Sequence, residues 1–300
     1  MIARRQFLSL TGLMLSGAAT GVLAAQGKEL KKSMSSSSVV SRLAKLEASV
    51  GGRLGVDIID SATQRRWGYR ADERFAMCST FKFLASAAVL KRVDAGQEQL
   101  DRRIIYGNDV LVAYSPTTSK HAGGNGLTLG QLCEAALTLS DNTAANLILK
   151  SLGGLEPFNR FVQSLGDKQT RLDRFETELN TAIPGDRRDT TTPAAMSDNL
   201  QRILLGEVLS PASREQLIAW MRSNKTGDRR VRAGMQPGWT VGDKTGSGDY
   251  GTTNTIAIIW PPQGKPLLAS IYLTRTRAPE DQRNAVLAEV GKIIVAGLDR

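Results

Sequence analysis

Two residues three positions apart, Ser79 and Lys82, carry side chains that a covalent catalyst uses. At this spacing on a helix they share a face, so the lysine amine can reach the serine hydroxyl. The chain has a single histidine, His121, beside a run of alanine and glycine. A Ser-His-Asp triad would have to use it, and a histidine-rich zinc site is excluded. If Ser79 is a nucleophile, a group other than imidazole must take its proton.

Three more polar motifs follow in order along the chain. They are Ser140-Asp141-Asn142, Glu176-x-x-x-Asn180 and Lys244-Thr245-Gly246. A lone S-x-x-K pair is common by chance, but the four motifs together resemble those of the class A serine β-lactamases. The resemblance covers essentially the whole chain beyond a leader of about 25 residues, and it implies hydrolysis of penicillins and cephalosporins.

The resemblance assigns the acylation step to Ser79, which would attack the lactam carbonyl. The backbone N–H groups of Ser79 and Ser247 would form the oxyanion hole, where negative charge develops. Ser140 would pass a proton to the departing lactam nitrogen. Whether Lys82 or Glu176, acting through water, accepts the proton of Ser79 stays open.

Removal of the acyl group is assigned to Glu176 and Asn180, which would hold the hydrolytic water. We interpret Glu178, two residues further on, as a solvated loop carboxylate. The segment 171–192 is charged and rich in turn residues, so we predict a functional Ω-like loop there. By the resemblance, Arg174 and Asp189 form an ion pair that clamps this loop.

A β-lactam carries a carboxylate, so the resemblance also implies a set of substrate contacts. These residues are Tyr114, Asn142, Arg230, Lys244, Thr245, Gly246 and Ser247. Asn142 would hydrogen-bond the side-chain amide of the substrate, and Tyr114 would pack its ring at the rim of the cleft. Thr253 stands where many members have an arginine, so we nominate Arg230 as the cationic anchor. The alternative is that Arg230 is a solvated member of the charged run 228–232.

The run 244–254 resembles the cefotaxime-hydrolysing branch of the family, which implies a preference for cephalosporins, oxyimino compounds included. Cys78 precedes the nucleophile, as it does in carbapenem-hydrolysing members, but their partner cysteine is replaced here by Gly248. The usual partner position of Cys133 is Ser86. We therefore expect two free thiols, and we do not expect carbapenemase activity.

The composition of the chain argues against several other classes of function. The chain has 300 residues, 41% of them hydrophobic, which is enough for a sizeable core. The net charge is +10, but lysines and arginines are scattered rather than clustered with aromatic residues, which argues against nucleic-acid binding. The covalent chemistry needs only side chains and water, so no metal and no organic cofactor are expected. The resemblance implies a monomer.

The N-terminus has the pattern of an export signal. Arg4-Arg5 precedes an apolar run over residues 10–23 and a small-residue end at Ala24-Ala25. We predict a cleaved signal over residues 1–25, too short for a stable membrane anchor, and hence a periplasmic or secreted protein. The twin arginine resembles a Tat signal, and an ordinary Sec leader is the alternative.

Strand-like runs lie towards both ends of the chain and helical patterns fill the middle. This order predicts an α/β lobe built from residues 39–70 and 223–300, with a helical lobe, 71–222, inserted into it. Residues 26–38 are polar and are expected to be flexible. The resemblance implies the α/β plus all-α fold of serine β-lactamases and penicillin-binding proteins, an antiparallel sheet flanked by helices with an inserted helical lobe.

Two other functions fit part of the pattern. A penicillin-binding carboxypeptidase has the serine, the lysine and the K-T-G motif and is acylated by the same drugs, but it lacks the loop glutamate. A β-lactam sensor domain is acylated without turnover and usually adjoins a membrane segment. Glu176 is therefore the residue that best separates the three functions.

Overall fold

The structure, a computed structural model, describes residues 36–298. The predicted export signal lies outside these residues. The α-helices are α1 (Ser36–Val50), α2 (Phe81–Asp94), α3 (Leu129–Thr138), α4 (Asn142–Leu152), α5 (Leu155–Ser164), α6 (Pro193–Leu204), α7 (Pro211–Arg222) and α8 (Glu280–Leu298). The strands are β1 (Arg53–Asp60), β2 (Arg66–Tyr69), β3 (Phe75–Ala76), β4 (Arg103–Ile104), β5 (Leu127–Thr128), β6 (Thr190–Thr191), β7 (Thr240–Gly248), β8 (Thr252–Trp260) and β9 (Leu267–Thr274).

Five strands form an antiparallel sheet in the order β2-β1-β9-β8-β7. Strand β1 pairs with β9 along its whole length, from Arg53 opposite Thr274 to Asp60 opposite Leu267. Segments far apart in the sequence therefore build one layer, and the predicted fold class, a sheet flanked by helices, is confirmed. The order leaves β7, the strand that carries the K-T-G motif, at one edge.

Both faces of this sheet are buried. Side chains alternate between the faces of a strand: in β9, Ala269 and Ile271 pack with α1 and α8, whereas Leu268 and Tyr272 pack with the helical core. Burial on two sides explains why β9 and residues 256–260 of β8 are nearly continuous hydrophobic runs. The sheet is thus a rigid support for the residues at its edge.

Helix α2 is the centre of the helical lobe. All of its residues from Phe81 to Leu90 are buried, and it contacts α3, α4, α5 and α7. Small residues such as Ala85 and Ala87 allow this close approach from several sides. Packing all round fixes the helix in one position, and with it Lys82 near its first turn.

Side chains cap the starts of α3, α6 and α7. Thr128 and Gln131 form a reciprocal capping box at α3, and the hydroxyls of Thr192 and Ser210 cap α6 and α7, where a proline follows each. All three starts follow local sequence patterns, T-x-x-Q at α3 and S/T-P at α6 and α7, that are typical of helix N-termini. Each cap satisfies a backbone N–H that would otherwise lack a partner.

Helix α1 begins at Ser36, inside the segment that we expected to be flexible. Val39 and Leu43 in its first turns are buried against the sheet, and this packing extends the helix over serine residues of modest helix propensity. Between residues 36 and 298 there is no helix with the length and apolar character needed to cross a membrane.

Candidate active site

The predicted site residues meet where the helical lobe borders strand β7. Ser79 lies in a short 3-10 turn, Cys78–Thr80, directly before α2. The cleft at this border has a volume of about 370 Å³. Nine of the predicted residues line it: Ser79, Tyr114, Ser140, Asn142, Asn180, Arg230, Thr245, Gly246 and Ser247. The other three, Lys82, Glu176 and Lys244, are buried residues that contact them. Tyr114 is 60% exposed, as expected of a residue at the rim and not of a core tyrosine.

The Lys82 ammonium is the centre of a buried polar cluster. Its Nζ donates hydrogen bonds to Ser79 Oγ at 2.9 Å and to Asn142 Oδ1 at 2.6 Å, and it lies 3.0 Å from Glu176 Oε1. The Ser79 hydroxyl donates to the same Glu176 oxygen at 3.3 Å. Burial lowers the pKa of Lys82, and the Glu176 carboxylate acts against this shift. Both candidate bases are therefore in contact with the hydroxyl of Ser79.

Ser140 Oγ lies between two lysines, 3.0 Å from Lys244 Nζ and 3.4 Å from Lys82 Nζ. Lys244 also donates to the carbonyl oxygen of Thr245 at 2.8 Å. Burial holds the pKa of Lys244 well below its usual value, and the Lys82 cation lowers it further. Two adjacent ammonium groups favour negative charge on the Ser140 oxygen, so this hydroxyl can transfer a proton.

The turn into α4 places Ser140 and Asn142. Ser140 has a left-handed backbone, with φ of +61°, a conformation that costs free energy for a residue other than glycine. Asp141 holds the turn, because its carboxylate caps α4 at the N–H of Ala144 and accepts two hydrogen bonds from Thr118. Asp141 is thus a structural residue, and its two neighbours point their polar groups to the cleft.

Residues 171–192 form a loop that contains one 3-10 turn, Glu178–Asn180, and ends in β6. Arg174 Nε donates to Asp189 Oδ2 at 2.6 Å, so the expected ion pair is present. The buried Asp189 carboxylate also accepts from the backbone N–H groups of Asp173 and Arg174. These contacts tie the two ends of the loop together. Glu178 is exposed, in line with its interpretation as a solvated carboxylate.

Glu176 is held by two asparagines. Asn180 Nδ2 donates to Glu176 Oε2 at 2.5 Å. Asn146 binds the backbone of Glu176 on both sides, since its Oδ1 accepts from the N–H at 2.9 Å and its Nδ2 donates to the carbonyl at 3.0 Å. Asn180 Oδ1 is buried and has no hydrogen-bond partner among residues 36–298. It therefore keeps its capacity to accept a hydrogen bond from a water molecule.

Arg230 is 7% exposed, so the alternative of a solvated side chain is wrong. Its guanidinium donates to the carbonyls of Gly246 at 2.9 Å and Asn254 at 2.7 Å, to Ser247 Oγ at 2.7 Å and to Asn284 Oδ1 at 3.1 Å. Burial lowers the pKa of Arg230 to about 10. All four partners are neutral, which leaves the positive charge available to an anion in the cleft beside Ser247.

Strand β7 passes very close to the turn that carries the nucleophile. A Cβ atom at Gly246 would lie 2.8 Å from the carbonyl oxygen of Met77, and one at Gly248 would lie 2.6 Å from Cys78 Sγ. Glycine is therefore required at both positions. Cys78 and Cys133 are buried free thiols, in agreement with the expectation from the sequence, and burial raises the pKa of Cys133 to about 12.

Known proteins match the chain over nearly all of this structure. The beta-lactamase enzyme family matches residues 38–298. Beta-lactamase OXY-1 of Klebsiella oxytoca is 46% identical over 285 residues, which cover 95% of this chain and 97% of the relative. An ancestral (GNCA) class A beta-lactamase of solved structure is 60% identical with a TM-score of 0.85, covering 86% of this chain and 98% of that one. The chain belongs to the class A β-lactamases.

The relatives also indicate the branch of this β-lactamase. Beta-lactamase Toho-1 of Escherichia coli is 49% identical over 260 residues, or 87% of this chain and 89% of the relative. Together with the OXY-1 match, this supports the cefotaximase-type branch that the run 244–254 indicated. The class of enzyme, a hydrolase that acts on β-lactams and confers resistance to them, follows from membership of the family.

Some residues of this β-lactamase site were not predicted from its sequence. Asn146 belongs to no motif, although its position four residues after Asn142 places both on one face of α4 and could have indicated it. Asn284 and Glu280 come from the first turns of α8, and Asn284 Nδ2 donates to Glu280 Oε1 at 3.4 Å. Thr226 lines the cleft and hydrogen-bonds the hydroxyl of Thr245. No local pattern connects these last three to the motifs.

Proposed function

We propose that the chain hydrolyses the lactam amide of penicillins and cephalosporins through an ester on Ser79, and that a water molecule activated by Glu176 and Asn180 cleaves the ester. The observation that carries this proposal is the continuous chain of contacts from Lys82 through Ser79 and Glu176 to Asn180, which reaches the cleft at Ser79 and Asn180. It connects the nucleophile with a carboxylate that can activate water.

In the acylation step, Ser79 Oγ attacks the lactam carbonyl carbon and its proton passes to Lys82 or to Glu176. The backbone N–H groups of Ser79 and Ser247 stabilise the oxyanion. The bond between the carbonyl carbon and the lactam nitrogen then breaks, and Ser140 supplies a proton to the nitrogen. The contacts of Ser140 with both lysine ammoniums support this role, because they allow its proton to be replaced.

In the deacylation step, Glu176 takes a proton from water while the water oxygen attacks the ester carbonyl. The ester bond breaks, the proton returns to Ser79 Oγ, and the product leaves as a ring-opened acid. The free acceptor atom Oδ1 of Asn180 supports this role, because it can orient the water beside the carboxylate. Holding the water in place removes much of the entropic cost of the step.

The substrate carboxylate is proposed to bind at the end of the cleft formed by Lys244, Thr245, Ser247 and Arg230. The buried cations there favour an anion, and Ser247 presents a hydroxyl that Arg230 already orients. At the other end, Asn142 would hydrogen-bond the side-chain amide, and Tyr114 would pack against the ring system. Gly246 lets strand β7 lie close to the turn that carries Ser79, which brings this end of the cleft to the nucleophile.

A preference for cephalosporins, including oxyimino compounds, is proposed from the cefotaximase-type relatives and from Ser247 beside the carboxylate site. Export to the periplasm or medium through a Tat-like signal, and action as a monomer on small β-lactam substrates, are proposed from the sequence pattern at residues 1–25 and from the family.

Turnover distinguishes this function from its rivals. The chain without residues 1–25 is mixed with excess chromogenic cephalosporin, and product is followed past one equivalent per protein. Continued hydrolysis over many equivalents is expected of a β-lactamase. A burst of one equivalent that then stops would instead indicate a penicillin-binding carboxypeptidase or a sensor domain, both of which are trapped as the acyl form.

A further inference from the structure

A second polar crevice lies between the tip of the 171–192 loop and the ends of β3, β6 and β9. Five arginines and one carboxylate line it: Arg53, Arg74, Arg174, Arg188, Arg275 and Asp186. We call it the arginine crevice. Its free space of about 30 Å³ exceeds the roughly 10–15 Å³ that one water molecule needs. A small tetrahedral anion, whose oxygens lie close to a central atom, fits this space.

Three of the five arginines are paired with acidic groups. Arg53 lies 2.5 Å from Glu73, Arg174 pairs with Asp189 at 2.6 Å, and Arg188 pairs with Asp186 at 2.8 Å. The Asp186 carboxylate is committed to this pair, and Arg188 lowers the pKa of Asp186 to about 2. The lining carboxylate therefore does not neutralise the remaining two arginines.

Arg74 and Arg275 lack an acidic partner. Arg74 donates only to neutral acceptors, two oxygens of Gln169 and the hydroxyl of Thr190. Its pKa is lowered by burial and by the nearby cations Arg187 and Arg171. Within residues 36–298 the Arg275 guanidinium has neither a hydrogen bond nor an ion pair. Two uncompensated cations at one small cavity attract a doubly charged anion.

We propose that the arginine crevice binds a small inorganic oxyanion of the sulfate or phosphate type. Arg275 follows strand β9, whereas Arg174 and Arg188 belong to the loop that carries Glu176. An anion bound between them joins the loop tip to the sheet by charge-assisted hydrogen bonds. This site is separate from the cleft of Ser79 and does not depend on the proposed hydrolysis.

Sodium sulfate is the probe for this site, and sodium chloride at the same ionic strength is the reference. The two salts then screen the charges of the protein equally, so a difference between them indicates specific binding of sulfate. Four proteins are compared by thermal unfolding: the unchanged chain, Arg275→Gln, Arg277→Gln and Arg230→Gln. Arg277 is an exposed arginine two residues away that does not line the crevice. Arg230→Gln reports on anions that bind in the active-site cleft instead.

We expect sulfate to raise the Tm of the unchanged chain by about 3 °C more than chloride does. Arg275→Gln should lose most of this excess and Arg277→Gln should retain it, whereas Arg230→Gln should lose only the smaller part that comes from anions bound in the active-site cleft. The second measurement is the rate of tryptic cleavage after the exposed Arg187 and Arg188. Sulfate should slow this cleavage about threefold in the unchanged chain and should leave the rate unaltered in Arg275→Gln. An equal sulfate effect in all four proteins, no effect in any, or a loss confined to Arg230→Gln would overturn the proposal.

Discussion

The Lys82 ammonium lies 3.0 Å from a carboxylate oxygen of Glu176, and neither side chain is exposed to solvent. Two buried charges lose their hydration, so such a pair persists only where further hydrogen bonds hold both partners. Asn142 and Ser79 accept from the ammonium, and Asn180 donates to the carboxylate. Substitution of either partner would leave the other charge buried and unpaired, which destabilises the fold.

At alkaline pH, the pH dependence of kcat/KM should follow the loss of the proton from the Lys244 ammonium. Burial lowers the pKa of this lysine well below 10.5, and the neutral amine no longer attracts the substrate carboxylate. We therefore expect kcat/KM to fall as pH rises, at a pH below 10.5. Lys244→Arg keeps its charge over this range and should move the fall to higher pH. Lys225→Arg, at an exposed position, is the control and should not move it. An unchanged profile in Lys244→Arg would contradict the assignment.

If the ion pair of Arg174 with Asp189 clamps the loop, substitution of Arg174 should lower stability strongly and slow deacylation. Substitution of the nearby Arg171 should have only a small effect. Arg174→Ala leaves the buried Asp189 carboxylate without its cation, so we expect the free energy of unfolding to fall by about 3 kcal/mol and deacylation to slow. Arg171 forms an exposed pair with Asp173, and Arg171→Ala should cost less than about 1 kcal/mol. Denaturant unfolding and single-turnover kinetics measure the two effects. Equal losses in both variants would refute the clamp.

Asn146 and Asn159 each bind the backbone of the 171–192 loop through two hydrogen bonds, but only Asn146 binds it at Glu176. Asn159 exchanges two hydrogen bonds with the backbone of Leu172, as Asn146 does with Glu176. Both alanine variants should lose similar stability, about 1–3 kcal/mol, because backbone polar groups lose their partners. Only Asn146→Ala should slow hydrolysis of the acyl-enzyme, by roughly tenfold or more. Equal deacylation rates in the two variants would show that Asn146 does not position Glu176.

Arg230 should act on substrate binding more than on the chemical step. Arg230→Ala removes a charge-assisted contact of about 1.5–3 kcal/mol, so we expect KM for penicillins and cephalosporins to rise about tenfold or more while kcat changes less. Arg229→Ala, which removes an exposed arginine paired with Asp281, is the matched control and should leave KM unchanged. An unaltered KM in Arg230→Ala would contradict the role of Arg230 as the substrate anchor.

The motifs predicted which residues meet at the cleft because the contacts within each motif depend on short spacings, such as Ser79 with Lys82 on one turn and Glu176 with Asn180 on another. The caps at Thr128 and Thr192 were predictable for the same reason. The burial of Arg230 could not be predicted from the charged run 228–232, since it depends on partners that β7, β8 and α8 supply. Asn284 reaches Arg230 from a helix 54 residues away, a contact that only the fold creates.

In the sequence, the strand-like pattern that begins at Thr240 ends at residue 242, whereas strand β7 continues to Gly248. Glycine-rich segments have low strand propensity, and the run 246–251 contains three glycines. Pairing with β8, from Lys244 opposite Ile256 to Gly248 opposite Thr252, outweighs this local preference. The K-T-G motif consequently lies on a strand rather than in a loop.

The central claim is that Glu176 activates the water that removes the acyl group. Its most direct test is the intact mass of Glu176→Ala at intervals after mixing with a penicillin, with Glu178→Ala as the matched control two residues away. We expect an adduct on Ser79 to accumulate to about one equivalent and persist in Glu176→Ala, while Glu178→Ala turns over and shows none. Rapid loss of the adduct from Glu176→Ala, at the rate of the unchanged enzyme, would contradict the account.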